Sequence, residues 1–215
     1  GNLAAINSAL NDADVQGTQA DTKAEVQAIV DGFKAILDNA DNAATTNPTQ
    51  QNYIDIGVNG VDTAQEVTLL GDVIDGKAST DVDTVAKVQA LANAVQAVMD
   101  GTATKAQLES LGVSGVTNNN LAAVQAALAA ATDATQLDTL THVQSVVTAA
   151  VDALDAIKQA AENNSATATS PSLTQYQTIG VVGVTAGNLA AINSALNDAD
   201  VQGANADTKS EVQAI

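Results

Sequence analysis

The first 29 residues of this chain recur almost unchanged at its end. Residues 1–29 return as residues 187–215 with 26 identities, and the differences are Thr18/Ala204, Gln19/Asn205 and Ala24/Ser210. Near-identity at an offset of 186 residues indicates a recent tandem duplication within a long array. The fold must therefore be built from repeated units, of which this chain covers little more than one long period.

Two motifs mark a shorter period. An aliphatic-Gly-Val-x-Gly-Val hexamer occupies residues 56–61, 111–116 and 179–184, and Asp-Thr-x3-Val-Gln begins at Asp21, Asp83, Asp138 and Asp207. The spacing from the first hexamer Gly to the next Asp is 26, 26 and 27 residues, whereas the spacing from that motif to the next hexamer is 36, 29 and 42. A constant interval is typical of a packed unit and a variable one of a linker. The pattern predicts separate beads rather than a continuous solenoid.

Apolar periodicity predicts three helices in each repeat. Helix C follows Asp-Thr, and its apolar residues are spaced by three and four: Val26, Ile29, Val30, Phe33, Ile36, Leu37; Val85, Val88, Leu91, Val95, Val98, Met99; and Leu140, Val143, Val147, Val151, Leu154, Ile157. Helix B precedes it with the stripes Leu3, Ile6, Leu10 and Leu121, Val124, Leu128. Helix A precedes the hexamer and carries Tyr53 and Ile56, Leu108 and Leu111, or Tyr176 and Ile179.

Local signals mark the helix ends. Thr22-x-x-Glu25 and Thr208-x-x-Glu211 match a capping box at the start of helix C. Pro48 and Pro171 are expected in the first turn of helix A, where proline is tolerated. The hexamer could also be a short strand, but its glycines favour a turn that joins helix A to helix B and directs its valines into the core.

These features predict an all-α fold, a tandem array of small three-helix bundles joined by short variable linkers. The linkers, expected to be solvated, are residues 39–47, 100–104 and 162–170. The predicted domains are 1–45 (helices B and C), 46–102 and 103–170 (complete bundles), and 171–215 (helices A, B and the start of C).

The order of helix A, Gly-Val turn, Asn-Leu-x-x-Ile-Asn-x-Ala (residues 2–9 and 188–195) and Thr-x-x-Glu-Val-x-Ala-Ile (residues 22–29) resembles the GA module, and more closely the GA-like domains. The resemblance implies three-helix bundles from very large, repetitive, acidic surface proteins of Gram-negative bacteria. Albumin-binding GA modules are Lys-rich and carry aromatic side chains near the second helix, whereas residues 2–11 contain neither. Albumin binding is therefore not expected.

Composition excludes several function classes. The chain has 25 acidic and 7 basic residues and a net charge of −18, and all the basic residues are Lys. Because nucleic acids and anionic membranes are bound through basic surfaces, neither is an expected partner. The absence of cysteine removes disulfides, thiol nucleophiles and Cys-ligated metals. No apolar run reaches the ~18 residues of a membrane span, so no membrane insertion is expected.

Two features invite a chemical interpretation. His142 is the only histidine, but sister repeats hold Glu25, Lys87 and Glu211 at its position, which is typical of a solvated first-turn site. Residues 12–17 and 198–203 match the first half of a calcium loop, yet Lys23 and Lys209 occupy the twelfth position, where a bidentate Glu belongs. Weak calcium binding there is the alternative to a plain polar turn. Asp72, Asp75, Asp81 and Asp83 form a looser cluster of the same kind.

The sequence thus predicts no catalytic, cofactor or metal site and no enzymatic activity. We expect a structural spacer segment of a large bacterial cell-surface adhesin that acts in cell adhesion and biofilm formation, with neighbouring repeats of the same chain as partners. The alternative is a GA-like module that docks an unknown host or matrix protein through a helix face.

Overall fold

The structure, a computed structural model, describes residues 2–12, 14–42, 46–133, 135–163 and 169–215. Over these residues the fold is all-helical and contains no strand, which confirms the predicted fold class at this level. The α-helices are α1 (Asn2–Leu10), α2 (Lys23–Asn39), α3 (Gln50–Asp55), α4 (Ala64–Asp75), α5 (Val85–Met99), α6 (Lys105–Leu111), α7 (Leu121–Ala130), α8 (Leu140–Asn163), α9 (Leu173–Thr178), α10 (Leu189–Leu196) and α11 (Lys209–Ala214). Helices α3, α6 and α9 correspond to predicted helix A, α1, α4, α7 and α10 to helix B, and α2, α5, α8 and α11 to helix C.

Capping boxes begin the helices where the sequence predicted them. At α2, Glu25 N donates to Thr22 Oγ1 while the Glu25 carboxylate accepts from Thr22 N. The hydrogen bonds from Thr22 lower the pKa of Glu25 below its usual value, because they favour the ionised form. The same box opens α11 at Thr208.

Helix A also begins with a capping box, which corrects the predicted role of proline. Thr49 and Ser172 are the N-cap residues of α3 and α9. Pro48 and Pro171 therefore lie one residue before the cap, outside the first turn. The backbone of both N-cap residues is extended.

The hexamer forms the predicted turn between helices A and B. After α3, Val58 N donates to Tyr53 O and Gly57 N to Ile54 O, the hydrogen bonds of a Schellman motif. Gly57 has a φ of 87° and Gly60 a φ of 75°, a region that side chains with a Cβ disfavour. Val58 and Val61 are buried, as predicted.

The predicted apolar stripe of helix C is confirmed, but that of helix B is wrong in its first copy. Val88, Val95 and Val98 of α5 are fully buried, as are Val143 and Ile157 of α8. In α1, however, Leu3 is 71% exposed and Leu10 39% exposed. The helix instead buries the adjacent face, which carries Ala5 and Ala9.

The described chain divides into two compact units. Unit 1 comprises Gly1–Met99, Ser110–Gly112 and Leu137–Leu140, and unit 2 comprises Asp100–Glu109, Val113–Gln136 and Thr141–Ile215. The predicted arrangement as self-contained beads is not confirmed inside them. In unit 2, one core joins α8 residues such as Leu154 and Ile157 to Tyr176 and Val212, across the predicted boundary at residue 170. The domain boundaries themselves stay predictions.

Two of the linkers are less solvated than predicted. Asn39 is 1% exposed, ends α2, and donates its side-chain amide to Gly71 O at 2.7 Å. Gly101 and Ala103 are buried in the second linker. In the third, residues 164–168 lie outside the described residues. Asn39 and Gly101 each contact a helix that their linker does not join: Asn39 contacts α4, and a Cβ at Gly101 would stand 2.5 Å from Ala129 Cβ of α7.

Candidate functional site

The side chains that suggested chemistry are dispersed. His142 is exposed in the first turn of α8. Asp12 Oδ1 accepts from Asp14 N, and Asp198 Oδ1 accepts from Asp200 N, so both half-loops form local turns. Within the described ranges, no three His, Cys, Asp or Glu side chains converge as metal ligands would.

The looser acidic cluster is likewise spread over separate contacts. Asp72 Oδ2 accepts from Leu140 N at 2.6 Å, at the start of α8. Asp83 accepts from Lys87 Nζ at 2.6 Å, an exposed pair one helical turn apart. Asp72 thus accepts a hydrogen bond at the start of a helix, and Asp83 forms a surface ion pair.

The two repeated motifs meet in a glutamine clamp. Gln89, the last residue of the Asp-Thr-x3-Val-Gln motif, accepts from Asn59 N at 2.8 Å and donates to Asn59 O at 3.0 Å. Asn59 is the variable residue of the hexamer. One primary amide thus holds both backbone groups of a single turn residue, which fastens the A–B turn to helix C.

The clamp recurs wherever a hexamer precedes helix C. Gln144 accepts from Ser114 N at 2.9 Å and donates to Ser114 O at 3.2 Å. Gln213 does the same with Val182, at 2.8 and 3.2 Å. Because the clamp holds backbone groups in all three copies, it requires no particular residue at this hexamer position, although Ser114 Oγ also donates to Gln144 Oε1 at 3.3 Å. Sequence reasoning missed this role, although the constant interval between the motifs was its signal.

In the first copy the equivalent glutamine has a different partner. Gln27 Nε2 donates to Asp31 Oδ1 at 2.9 Å, one turn along α2, and no hexamer precedes it in this sequence. Gln27 therefore provides an internal control for the clamp.

We predict that Gln89→Ala lowers the free energy of unfolding by about 1–2 kcal/mol, because it loses the two hydrogen bonds to the Asn59 backbone as well as the contact with Asn93 one turn along α5. Gln27→Ala, which loses one exposed side-chain contact, should change it by less than about 0.5 kcal/mol. Urea unfolding measures both, and amide hydrogen exchange should show faster exchange at Asn59 in Gln89→Ala alone. Equal effects of the two substitutions would argue against the clamp.

A side chain of helix B also forms a hydrogen bond with the residue that precedes the N-cap of helix A. In α10, Asn193 Nδ2 donates to Pro171 O at 3.0 Å, and its Oδ1 accepts from Tyr176 Oη at 2.8 Å. In α7, Gln125 Nε2 donates to Ala103 O at 3.0 Å. Gly71 holds the equivalent position in α4, eight residues after its capping Thr.

The two tyrosines consequently differ in hydrogen bonding. Both are buried, and burial raises the pKa of each, to about 12 for Tyr176. Among the described residues, Tyr53 Oη has no hydrogen-bond partner. A buried hydroxyl without a partner is unfavourable.

We predict opposite results for Tyr53→Phe and Tyr176→Phe. Tyr53→Phe should leave the free energy of unfolding unchanged or raise it, because it removes an unsatisfied hydroxyl. Tyr176→Phe should lower it by about 1 kcal/mol, because Asn193 loses its donor. Thermal unfolding of the pair is the measurement, and a larger loss for Tyr53→Phe would contradict the assignment.

Comparison with protein-family models, curated proteins and solved structures finds no match for this chain. Among the residues that the structure describes, no helix has both the length and the apolar character needed to cross a bilayer.

Proposed function

We propose that this chain is a non-enzymatic structural segment, in which tandem helical repeats space the parts of a large bacterial cell-surface adhesin. The observation that carries the proposal is a contact between successive repeats. Ser8 Oγ of α1 accepts from Val85 N at 3.2 Å, at the start of α5. In the same unit, Asp72 of α4 accepts from Leu140 N of α8.

In both contacts, a helix B supplies the acceptor for the first turn of helix C in the following repeat. A helix start leaves backbone donors without intrahelical partners, so a neighbouring repeat that accepts from them stabilises the array. Asp14 makes a third contact between repeats, in which its carboxylate accepts from Asn59 Nδ2 in the turn between α3 and α4 at 2.8 Å. These polar side chains support contacts between repeats, which is the expected role of a spacer.

The charge and the duplication support the same proposal. A net charge of −18 keeps repeated copies soluble and opposes their association. Nearly identical copies are compatible with a role that depends on repeat number. The surface location and the adhesin context come from the resemblance to GA-like domains.

Small-angle scattering tests the proposal, because a spacer must hold its ends apart. We expect a radius of gyration well above the ~17 Å of a compact 215-residue domain. A value near ~17 Å at both low and high salt would overturn the spacer function. Pull-down with serum albumin and matrix proteins is the second arm, and a saturable interaction there would favour a binding module instead.

A further inference from the structure

Asn59, in the turn between α3 and α4, is followed by Gly60, and this is the one Asn-Gly pair in the sequence. In such a pair, the glycine nitrogen can attack the side-chain amide of the asparagine, because glycine has no Cβ to crowd the cyclic imide that forms. Asn59 is exposed, so water and hydroxide reach its side chain. The sister hexamers hold Ser114 and Val182 at this position, and neither residue has an amide to lose.

The side-chain amide of Asn59 also forms a contact between repeats. Its Nδ2 donates to Asp14 Oδ2 at 2.8 Å and to Gly57 O at 3.4 Å. Because the Asp14 carboxylate only accepts hydrogen bonds, the contact requires a donor on residue 59. A carboxylate at residue 59 would instead face the carboxylate of Asp14 and repel it.

The glutamine clamp opposes the attack on this amide. Closing the imide requires an asparagine backbone conformation that side chains with a Cβ rarely adopt, so the peptide bond between Asn59 and Gly60 must rotate. Gln89 Nε2 holds the oxygen of that peptide bond at 3.0 Å, and Gln89 Oε1 holds Asn59 N at 2.8 Å. The imide therefore forms only when the clamp opens locally.

We propose that Asn59 is a modification site, where deamidation converts the contact with Asp14 from attractive to repulsive at a rate that the clamp limits. Hydroxide removes the proton of Gly60 N, a bond forms between that nitrogen and Asn59 Cγ, and the Cγ–Nδ2 bond breaks. Ammonia leaves with a proton taken from water. A second water then opens the imide at either carbonyl carbon, and the product is aspartate or isoaspartate. The net reaction consumes one water and releases one ammonia, with no oxidation or reduction.

The first test is incubation of the full chain in mildly alkaline buffer below its melting transition, followed by peptide mass mapping. We expect aspartate and isoaspartate to appear at residue 59 before any other asparagine is converted. The rate should rise about ten-fold in Gln89→Ala, because the loss of the clamp raises the population of the open turn. Gln27→Ala is the matched control and should convert at the rate of the unchanged chain. Unfolding the unchanged chain in urea should accelerate conversion in the same way without any substitution.

The second test measures the effect of the product on the contact. Asn59→Asp should melt about 2–4 °C below Asn59→Ser, because both variants lose the amide but only the first adds a charge against Asp14. The difference should shrink at high salt, since both side chains are exposed. Combining Asn59→Asp with Asp14→Asn restores an amide opposite a carboxylate and should return the melting transition to that of the unchanged chain.

Earlier conversion of another asparagine, a rate that unfolding does not raise, or equal rates in Gln89→Ala and Gln27→Ala would overturn the proposed site and its control by the clamp. Equal melting of Asn59→Asp and Asn59→Ser would overturn the effect on the contact with Asp14. The proposal does not rest on the spacer function, which scattering tests separately.

Discussion

Val88→Asp is expected to unfold unit 1 at temperatures where the unchanged chain is folded. Val88 is fully buried in α5, on the same stripe as Leu91 and Val95. Aspartate there leaves an unpaired carboxylate in an apolar core, which costs more than about 4 kcal/mol and is a large share of a domain's stability. Circular dichroism should show a large loss of helix with a melting transition lowered by more than about 15 °C.

The control is Ala90→Asp, two residues further along α5 at an exposed position. It introduces the same carboxylate without burial, and it also loses about 0.5–0.7 kcal/mol of helix propensity, which Val88→Asp does not, because valine and aspartate have similar propensities. Its melting transition should fall by only a few degrees. A Val88→Asp chain that melts like Ala90→Asp would show that Val88 does not lie in the core.

Gly32→Leu is expected to destabilise the chain, although leucine is much the better helix former. Gly32 lies inside α2, where α3 packs against it. A Cβ at this residue would stand 2.8 Å from Asn52 O and 3.0 Å from Ile56 Cγ2. Because a backbone oxygen cannot rotate away, the two helices must separate, at a net cost of about 2–3 kcal/mol.

Helix propensity and the close contact with α3 predict opposite signs for the effect of Gly32→Leu on the free energy of unfolding. Replacing an interior helical glycine by leucine at an open site should stabilise by about 0.8 kcal/mol. Ala24→Leu, at an exposed position in the first turn of α2, is the control and should leave the free energy of unfolding within about 0.5 kcal/mol. Urea unfolding distinguishes the outcomes, and stabilisation by Gly32→Leu would show that α2 and α3 do not pack closely.

Much of the local structure was predictable because its causes lie within a few residues. The capping box of Thr22 and Glu25 and the Schellman turn after Tyr53 are formed by atoms that are neighbours in sequence. Buried valines at steps of three and four in α5 follow from the helical period. The glutamine clamp was not predicted, because its partners lie 30 residues apart and the hexamer residue that it holds has no fixed identity.

The core shared by successive repeats was not predicted, for a related reason. Motif spacing indicates how far apart two elements lie in sequence, but not which helix of the next repeat packs against a given helix. The presence of a glycine at residue 32 did not indicate a close contact with α3, because glycine also occurs at helix ends and in turns. The shared core of α8 and α9 likewise depends on two helices on opposite sides of a linker.

The sequence by itself determined that the chain is helical, where most helices begin, and which glycines turn the chain. Only the tertiary structure decided which side of helix B is buried. Residues 2–10 and 188–196 are identical, yet α1 buries Ala5 and Ala9 while α10 buries Leu196 and exposes the two matching alanines. The sequence specifies two faces that can each be buried. Apolar surface is removed from water only where another element packs against it. The position of the neighbouring helix therefore determines which face of helix B is buried.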